Sequence, residues 1–333
     1  MNSRPWPPGA ATGIGSLPGT DPIEAARLVF DELPDLPHLP ELPARGAGAD
    51  MIGRTAALLA GLAAEIVPSG WRLASRPGRD LRRAQDVLAR DLDALEQVAG
   101  SYVGTLKLQL AGPWTMAAGV EVPSGHRVVG DHGATRDLAD SLSEGLRAHI
   151  QDVGSRVPGA RLVVQLDEPF LPAVLGGTVP TPSGFGTVRA VSGEVVEQAL
   201  GAVLGVIPPG GRVVHCCAAD APIAALRSAG ADALAFDLAL LGDGRYDELG
   251  EAVDAGTSLW LGVLPSLDAT VTLDAAREPI RRLWNALGFP VGDLAAAVVP
   301  TPACGLAGAS PDYARRVLGV LRDVGRGMYE LAG

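Results

Sequence analysis

The sequence predicts a single (β/α)8 barrel of the TIM type, and three observations carry that expectation. Short apolar, β-prone runs alternate with longer stretches of helical periodicity through to the C-terminus, the pattern of a parallel sheet with crossover helices. The 333 residues suit eight such units, and no linker, low-complexity tract or compositional break divides them, so one domain over residues 1–333 is expected. With 47% hydrophobic residues the chain has enough apolar surface to offset the entropy of ordering, which excludes a disordered protein.

Seven strand-like runs are plain: Ala11 to Leu17, Thr105 to Leu110, Arg161 to Leu166, Arg212 to Cys217, Ala233 to Asp237, Ser258 to Val263 and Ala296 to Val299. An eighth is expected in the Pro-rich segment near His38 to Leu42. Helices are expected over Pro22 to Leu33, Met51 to Glu65, Arg79 to Val98, Thr135 to Val153, Gly193 to Val206, Pro222 to Ser228, Tyr246 to Ala255, Leu273 to Leu287 and Pro311 to Leu331. Thr20 and Asp21 ahead of Pro22 supply a cap and a first-turn proline, and Ser310-Pro311 repeats the device. An open doubly wound sheet is the other arrangement of such units. Its glycine-rich candidate, Gly46-Ala47-Gly48, follows Pro-rich sequence and lacks the third glycine of a dinucleotide fingerprint, so no nicotinamide cofactor is expected.

The formal charge of −11, from 27 Lys+Arg against 38 Asp+Glu, repels phosphate backbones and anionic headgroups, which makes nucleic acid and membrane surfaces poor partners. Met1 to Ala10 holds no apolar stretch long enough for a signal sequence, and the apolar runs fall far short of the ~20 residues of a membrane span. A cytoplasmic protein without a membrane anchor is expected. Three cysteines, Cys216, Cys217 and Cys304, cannot form a disulfide framework, which leaves metal or nucleophile chemistry for them.

In a barrel, chemistry gathers where strands end. Along Val213-Val214-His215-Cys216-Cys217, alternation puts His215 and Cys217 on one face and Cys216 on the other. The neighbouring run ends at Asp237, and the last leads through Pro300-Thr301-Pro302-Ala303 to Cys304. An imidazole, two sulfurs and a carboxylate suit Zn²⁺ and leave such a site near charge −1. Each residue also has an ordinary explanation: a strand-end cysteine as a small buried hydrophobe, a histidine as a satisfied polar group, Asp237 as a helix cap. In Gln165-Leu166-Asp167-Glu168-Pro169 one carboxylate should face the axis, where Asp167 binds an ammonium group or caps the next helix. The glycines of Gly13-Ile14-Gly15-Ser16-Leu17-Pro18 let the backbone approach a ligand and offer Ser16 as a donor, or form a plain turn. The long loop Pro34 to Gly48 would sit beside the mouth, with Arg45 either gripping an anionic substrate group or simply solvated.

These strand ends resemble the C-terminal catalytic barrel of cobalamin-independent methionine synthase, in the superfamily that also holds uroporphyrinogen decarboxylase. Gly13-Ile14-Gly15-Ser16-Leu17-Pro18 looks like its first-strand motif, Gly112-Pro113-Trp114-Thr115 like its third-strand loop, and Gln165-Leu166-Asp167-Glu168-Pro169 like its Asp-Glu-Pro motif. His215-x-Cys217 looks like its zinc pair and Pro302-Ala303-Cys304-Gly305-Leu306 like its last zinc-ligand segment, and five motifs in order make the likeness specific. The resemblance implies a zinc-dependent methyltransferase in which zinc lowers the thiol pKa of homocysteine and the thiolate takes a methyl group to give methionine. It implies His215, Cys217, Asp237 and Cys304 as metal ligands, Asp237 standing where the family has a glutamate, with Ser16 and Asp167 holding the amino-acid backbone.

Departures from the family pattern are also legible. The carboxylate for the homocysteine amine lines up with Gly53, after Asp50-Met51-Ile52, and the proton-donating histidine falls near Leu267. Ala307-Gly308-Ala309-Ser310 replaces the basic residues after the last zinc cysteine, and the family's separate N-terminal barrel has no counterpart. The length resembles short stand-alone members, which implies a corrinoid or corrinoid protein as methyl donor in place of folate. A metal-free decarboxylase-like enzyme using Arg45 and Asp167, and a zinc-containing thiol or corrinoid binder without turnover, are the alternatives.

Overall fold

A computed structural model describes residues 4–181 and 183–332; residues 1–3 of the N-terminal stretch discussed above lie outside the described residues. Among the described residues the strands are nine: β1 (Ala63–Val67), β2 (Gly70–Ala74), β3 (Gly104–Ala111), β4 (Val120–Glu121), β5 (Ala160–Asp167), β6 (Arg212–His215), β7 (Ala233–Asp237), β8 (Ser258–Leu264) and β9 (Val298–Pro302). Six of them form one parallel sheet in the order β3-β5-β6-β7-β8-β9, with helices in the crossovers, and β1-β2-β4 form a small second sheet.

The parallel sheet curls, and two extended segments run between its edge strands. Thr12 N donates to Pro300 O of β9, Leu17 N to Glu41 O, Glu41 N to Gly15 O, and Leu39 N and Lys107 N tie residues 37–39 to β3. Each segment enters through isolated bridges, so neither Ala11 to Leu17 nor His38 to Leu42 is the regular strand expected from the sequence. Pro37, Pro40 and Pro43 bring no N–H to a ladder, which is why pairing there stays sporadic.

Three other expectations are corrected. The helix expected over Met51 to Glu65 ends at Ala56; Gly61 takes a positive φ of 72°, and the chain beyond it turns back as the antiparallel hairpin β1-β2 across Pro68-Ser69. The run at Ala296 to Val299 begins as a helical turn, Leu294–Ala297, and the strand is Val298–Pro302. β6 stops at His215, two residues before Cys217. The remaining expected helices are present with ends shifted by a few residues.

The core has two layers. Inside the curl, Leu36, Val163, Val213, Ala233, Ala235 and Val299 pack over an edge-to-face pair, Trp6 and Trp260, with centroids 5.2 Å apart. Outside, between sheet and helices, a larger cluster includes Leu108, Leu166, Val214, Cys216, Leu234 and Leu261.

The helix His132–Arg156 buries His149, and burial, reinforced by the charge of Arg54, holds its imidazole down to about 4. The unfolded chain takes up this proton near 6.5 and the folded chain only near 4, so the stability present above that window is lost as pH falls through it. We expect acidification across this range to cost about 3 kcal/mol at this site and His149→Leu to abolish that component, read from urea melts at a series of pH values. An unchanged pH slope in the variant would refute it.

Candidate metal centre

His215 ends β6, Cys217 follows two residues on, and Cys304 follows β9. Their ligand atoms lie within 4.8 Å of one another, the one such cluster among the described residues, and the two sulfurs are 3.4 Å apart. Cys216, between the two, points the other way and is buried in the outer core. Hydrogen bonding between Cys217 and Cys304 draws the Cys304 thiol down to about 6 and, together with burial, pushes the Cys217 thiol up.

The imidazole is oriented from behind. Asp167, at the end of β5, lies 2.8 Å from His215 Nδ1; a carboxylate can only accept, so Nδ1 carries the proton. Nε2 is then a bare acceptor, and it is buried with no protein partner. A buried lone pair facing two sulfurs, on a ring fixed by a carboxylate, is the arrangement that metal-binding histidines use. The residues present therefore fit a thiophilic divalent ion such as zinc.

Beneath Asp167 runs a chain of buried polar groups. Gln165 Nε2 donates to Asp167 Oδ1 at 2.7 Å and to Ile14 O at 3.0 Å. The chain's one lysine, Lys107, is fully buried and donates to Ile14 O at 2.7 Å and Gln165 Oε1 at 2.8 Å; burial brings its ammonium down to about 7. Both bonds to Asp167 end on Oδ1, which leaves Oδ2 for a ligand.

Other expected site residues are placed as follows. Asp237 ends β7, its Oδ1 accepts from Ala239 N at 2.9 Å, and it is not drawn into the 4.8 Å cluster; burial raises its carboxyl pKa. Ser16 is half-buried at the rim, where its carbonyl accepts from Leu306 N, two residues after Cys304. Arg45 neither faces the mouth nor stands in solvent; it grips Asp91 with both nitrogens, at 2.7 and 2.8 Å. Leu267 is exposed on the loop after β8.

Gly53 lies in the helix Met51–Ala56, where a Cβ would fall 2.0 Å from Ala47 O, so this backbone has no room for a side chain there. A further carboxylate stands at the rim: Glu41, beside Ser16 in a parallel bridge, buried, and within electrostatic reach of Asp167 and Lys107. Sequence reasoning missed it, although it is the one acid of the expected run His38 to Leu42. Burial pushes its carboxyl up to about 7 against the pull of Arg54.

No protein-family model matches the chain, and no curated protein matches it in sequence. Solved structures do. A B12-independent methionine synthase from Shewanella sp. W3-18-1, in complex with selenomethionine, superposes with a TM-score of 0.61 at 13% identity, covering 97% of this chain and 98% of that one. A methyltransferase from Methanosarcina mazei gives 0.57 at 14% identity over 100% and 95%. The chain has a methionine-synthase-like fold. At such identities the likeness covers the fold, and the chemistry rests on the residues this methionine-synthase-like chain places at its strand ends. No helix among its described residues is long and apolar enough to cross a membrane.

Proposed function

We propose that the chain is a zinc-dependent methyltransferase, a single catalytic barrel over residues 1–333 in which segments 10–17 and 37–42 complete the ring, and that it moves a methyl group onto the thiol of an amino acid such as homocysteine to form methionine. The observation that carries this reading is the His215 ring, fixed at Nδ1 and unpartnered at Nε2 opposite two sulfurs. His215, Cys217 and Cys304 hold the ion, with Asp237 on the adjacent strand as the carboxylate donor. Zinc in an open thiolate-rich site lowers the pKa of a bound thiol, supplying a thiolate at neutral pH. Ser16 binds the amino-acid backbone, and Asp167 with Glu41 opposes its ammonium group. The bound selenomethionine of the Shewanella protein supports an amino-acid substrate for this fold.

The chain's −11 charge and the uncharged run Ala307-Gly308-Ala309-Ser310 disfavour a polyanionic folate, which supports a corrinoid donor in a cytoplasmic setting. Zinc-loaded protein given homocysteine with methylcobalamin, or with methyl-folate, is expected to release methionine from the corrinoid, detected by mass spectrometry. Homocysteine binding without methionine from either donor would replace the enzyme with a thiol-binding protein.

A further inference from the structure

A row of four alternating charges runs from the rim into the helical layer: Glu41, Arg54, Asp91 and Arg45, which are 6, 4, 3 and 14% exposed as side chains or residues. Arg45 donates through Nη2 to Asp91 Oδ2 at 2.8 Å and sets Nη1 2.7 Å from Oδ1 as an ion pair, so Asp91 keeps a cation beside it independently of Arg54. Arg54, on the short helix Met51–Ala56, donates through Nη1 to Asp91 and turns its Nε toward Glu41, 3.7 Å from Oε1. That Nε is buried and has no hydrogen-bond acceptor of its own, so its interaction with Glu41 is the one it has.

We propose that Arg54 is a positioning residue for the amino-acid substrate: anchored on Asp91, it holds the Glu41 carboxylate at the rim, where that carboxylate selects thiols bearing an α-amino group. The inference rests on the amino-acid-thiol reading above. A carboxylate this buried retains its proton unless a cation stands beside it, and a protonated acid offers an ammonium group little. Among the groups acting on Glu41, Arg54 is the foremost one holding it ionised, ahead of Gln109 and Lys107. The row sums to zero charge only with Glu41 anionic, and an incoming ammonium then meets a carboxylate whose orientation is set before binding. Discrimination follows, because a thiol without the amine leaves that carboxylate unpaired.

The test compares two thiols on the zinc-loaded protein by calorimetry: homocysteine, and 4-mercaptobutanoate, which is the same chain without the amino group. Arg54→Met is expected to weaken homocysteine by about tenfold or more while leaving 4-mercaptobutanoate unchanged, and to have no further effect in a Glu41→Gln background. Equal losses for both thiols would assign Arg54 a purely structural role, and wild-type homocysteine binding by the variant would overturn the proposal outright. Should Arg54→Met fail to fold, Arg54→Gln, which still reaches Asp91, carries the same expectation and the same refutation. If neither thiol binds the wild type, the amino-acid-thiol reading itself falls, an outcome distinct from the loss of selectivity.

Discussion

Replacing Cys217 or Cys304 by serine is expected to drop bound zinc from about one per chain to near zero while the fold survives. An open catalytic site contributes less to folding than a closed structural one, so losing one of a few donors weakens metal binding by roughly a hundredfold or more without unfolding the chain. Serine deepens that loss, because a neutral hydroxyl replaces a thiolate at a site that favours soft donors. The fold should persist because both sulfurs stand at the end of the strands, half-buried, while the two core layers lie below and around them. Cys216→Ser is the internal control: its side chain belongs to the outer core, so it should cost stability and leave zinc in place. Elemental analysis alongside thermal melts reads all three variants. Unchanged metal in both Cys217→Ser and Cys304→Ser would end the ligand assignment.

That His215, Cys217 and Cys304 converge was legible because a strand end is readable from where an apolar run stops, and alternation then fixes which neighbours share a face. The two irregular segments were harder. Residues 37–43 carry three prolines, which give no periodic signal, and nothing in the sequence marks the one acid among them, Glu41, as a rim residue; its bridge to Ser16 does. The hairpin β1-β2 was misread because Ala56-Ala57-Leu58-Leu59-Ala60 has high helix propensity right up to the turn at Gly61, where tertiary pairing prevails. The partners of Arg45 and Arg54 could not be read at all: Asp91 lies 46 and 37 positions away, on a helix face that the sequence alone shows only as a charged stripe.

The Asp-Glu-Pro motif divides into two tasks, and the second has the larger consequence for stability. Asp167 turns inward to His215, while Glu168 turns outward and is fully buried against the helix Pro113–Gly119. That helix has glycine at its N-cap, so no side chain of its own receives its first-turn N–H groups. Glu168, the residue after β5, receives them: Oε1 accepts from Trp114 N at 3.0 Å, and Oε2 from Thr115 N and Thr115 Oγ1, each at 2.7 Å. Gly112 is required by the approach, since a Cβ there would fall 2.3 Å from Glu168 Oε1. Burial pushes the carboxyl up to about 7 against these donors, so above that pH it is an anion at a helix N-terminus, where the dipole favours it. Glutamine matches the shape, but its amide accepts at one end only and sets an NH₂ against a backbone N–H at the other. Glu168→Gln is therefore expected to cost about 3 kcal/mol at a pH of about 8, and Glu168→Ala somewhat more, by leaving buried donors unpaired. Folded Glu168→Gln should still bind zinc, because His215 keeps Asp167. A Gln variant that melts with the wild type would show that the helix needs no cap from Glu168, and one that loses zinc while folded would show that the two carboxylates act as a single unit.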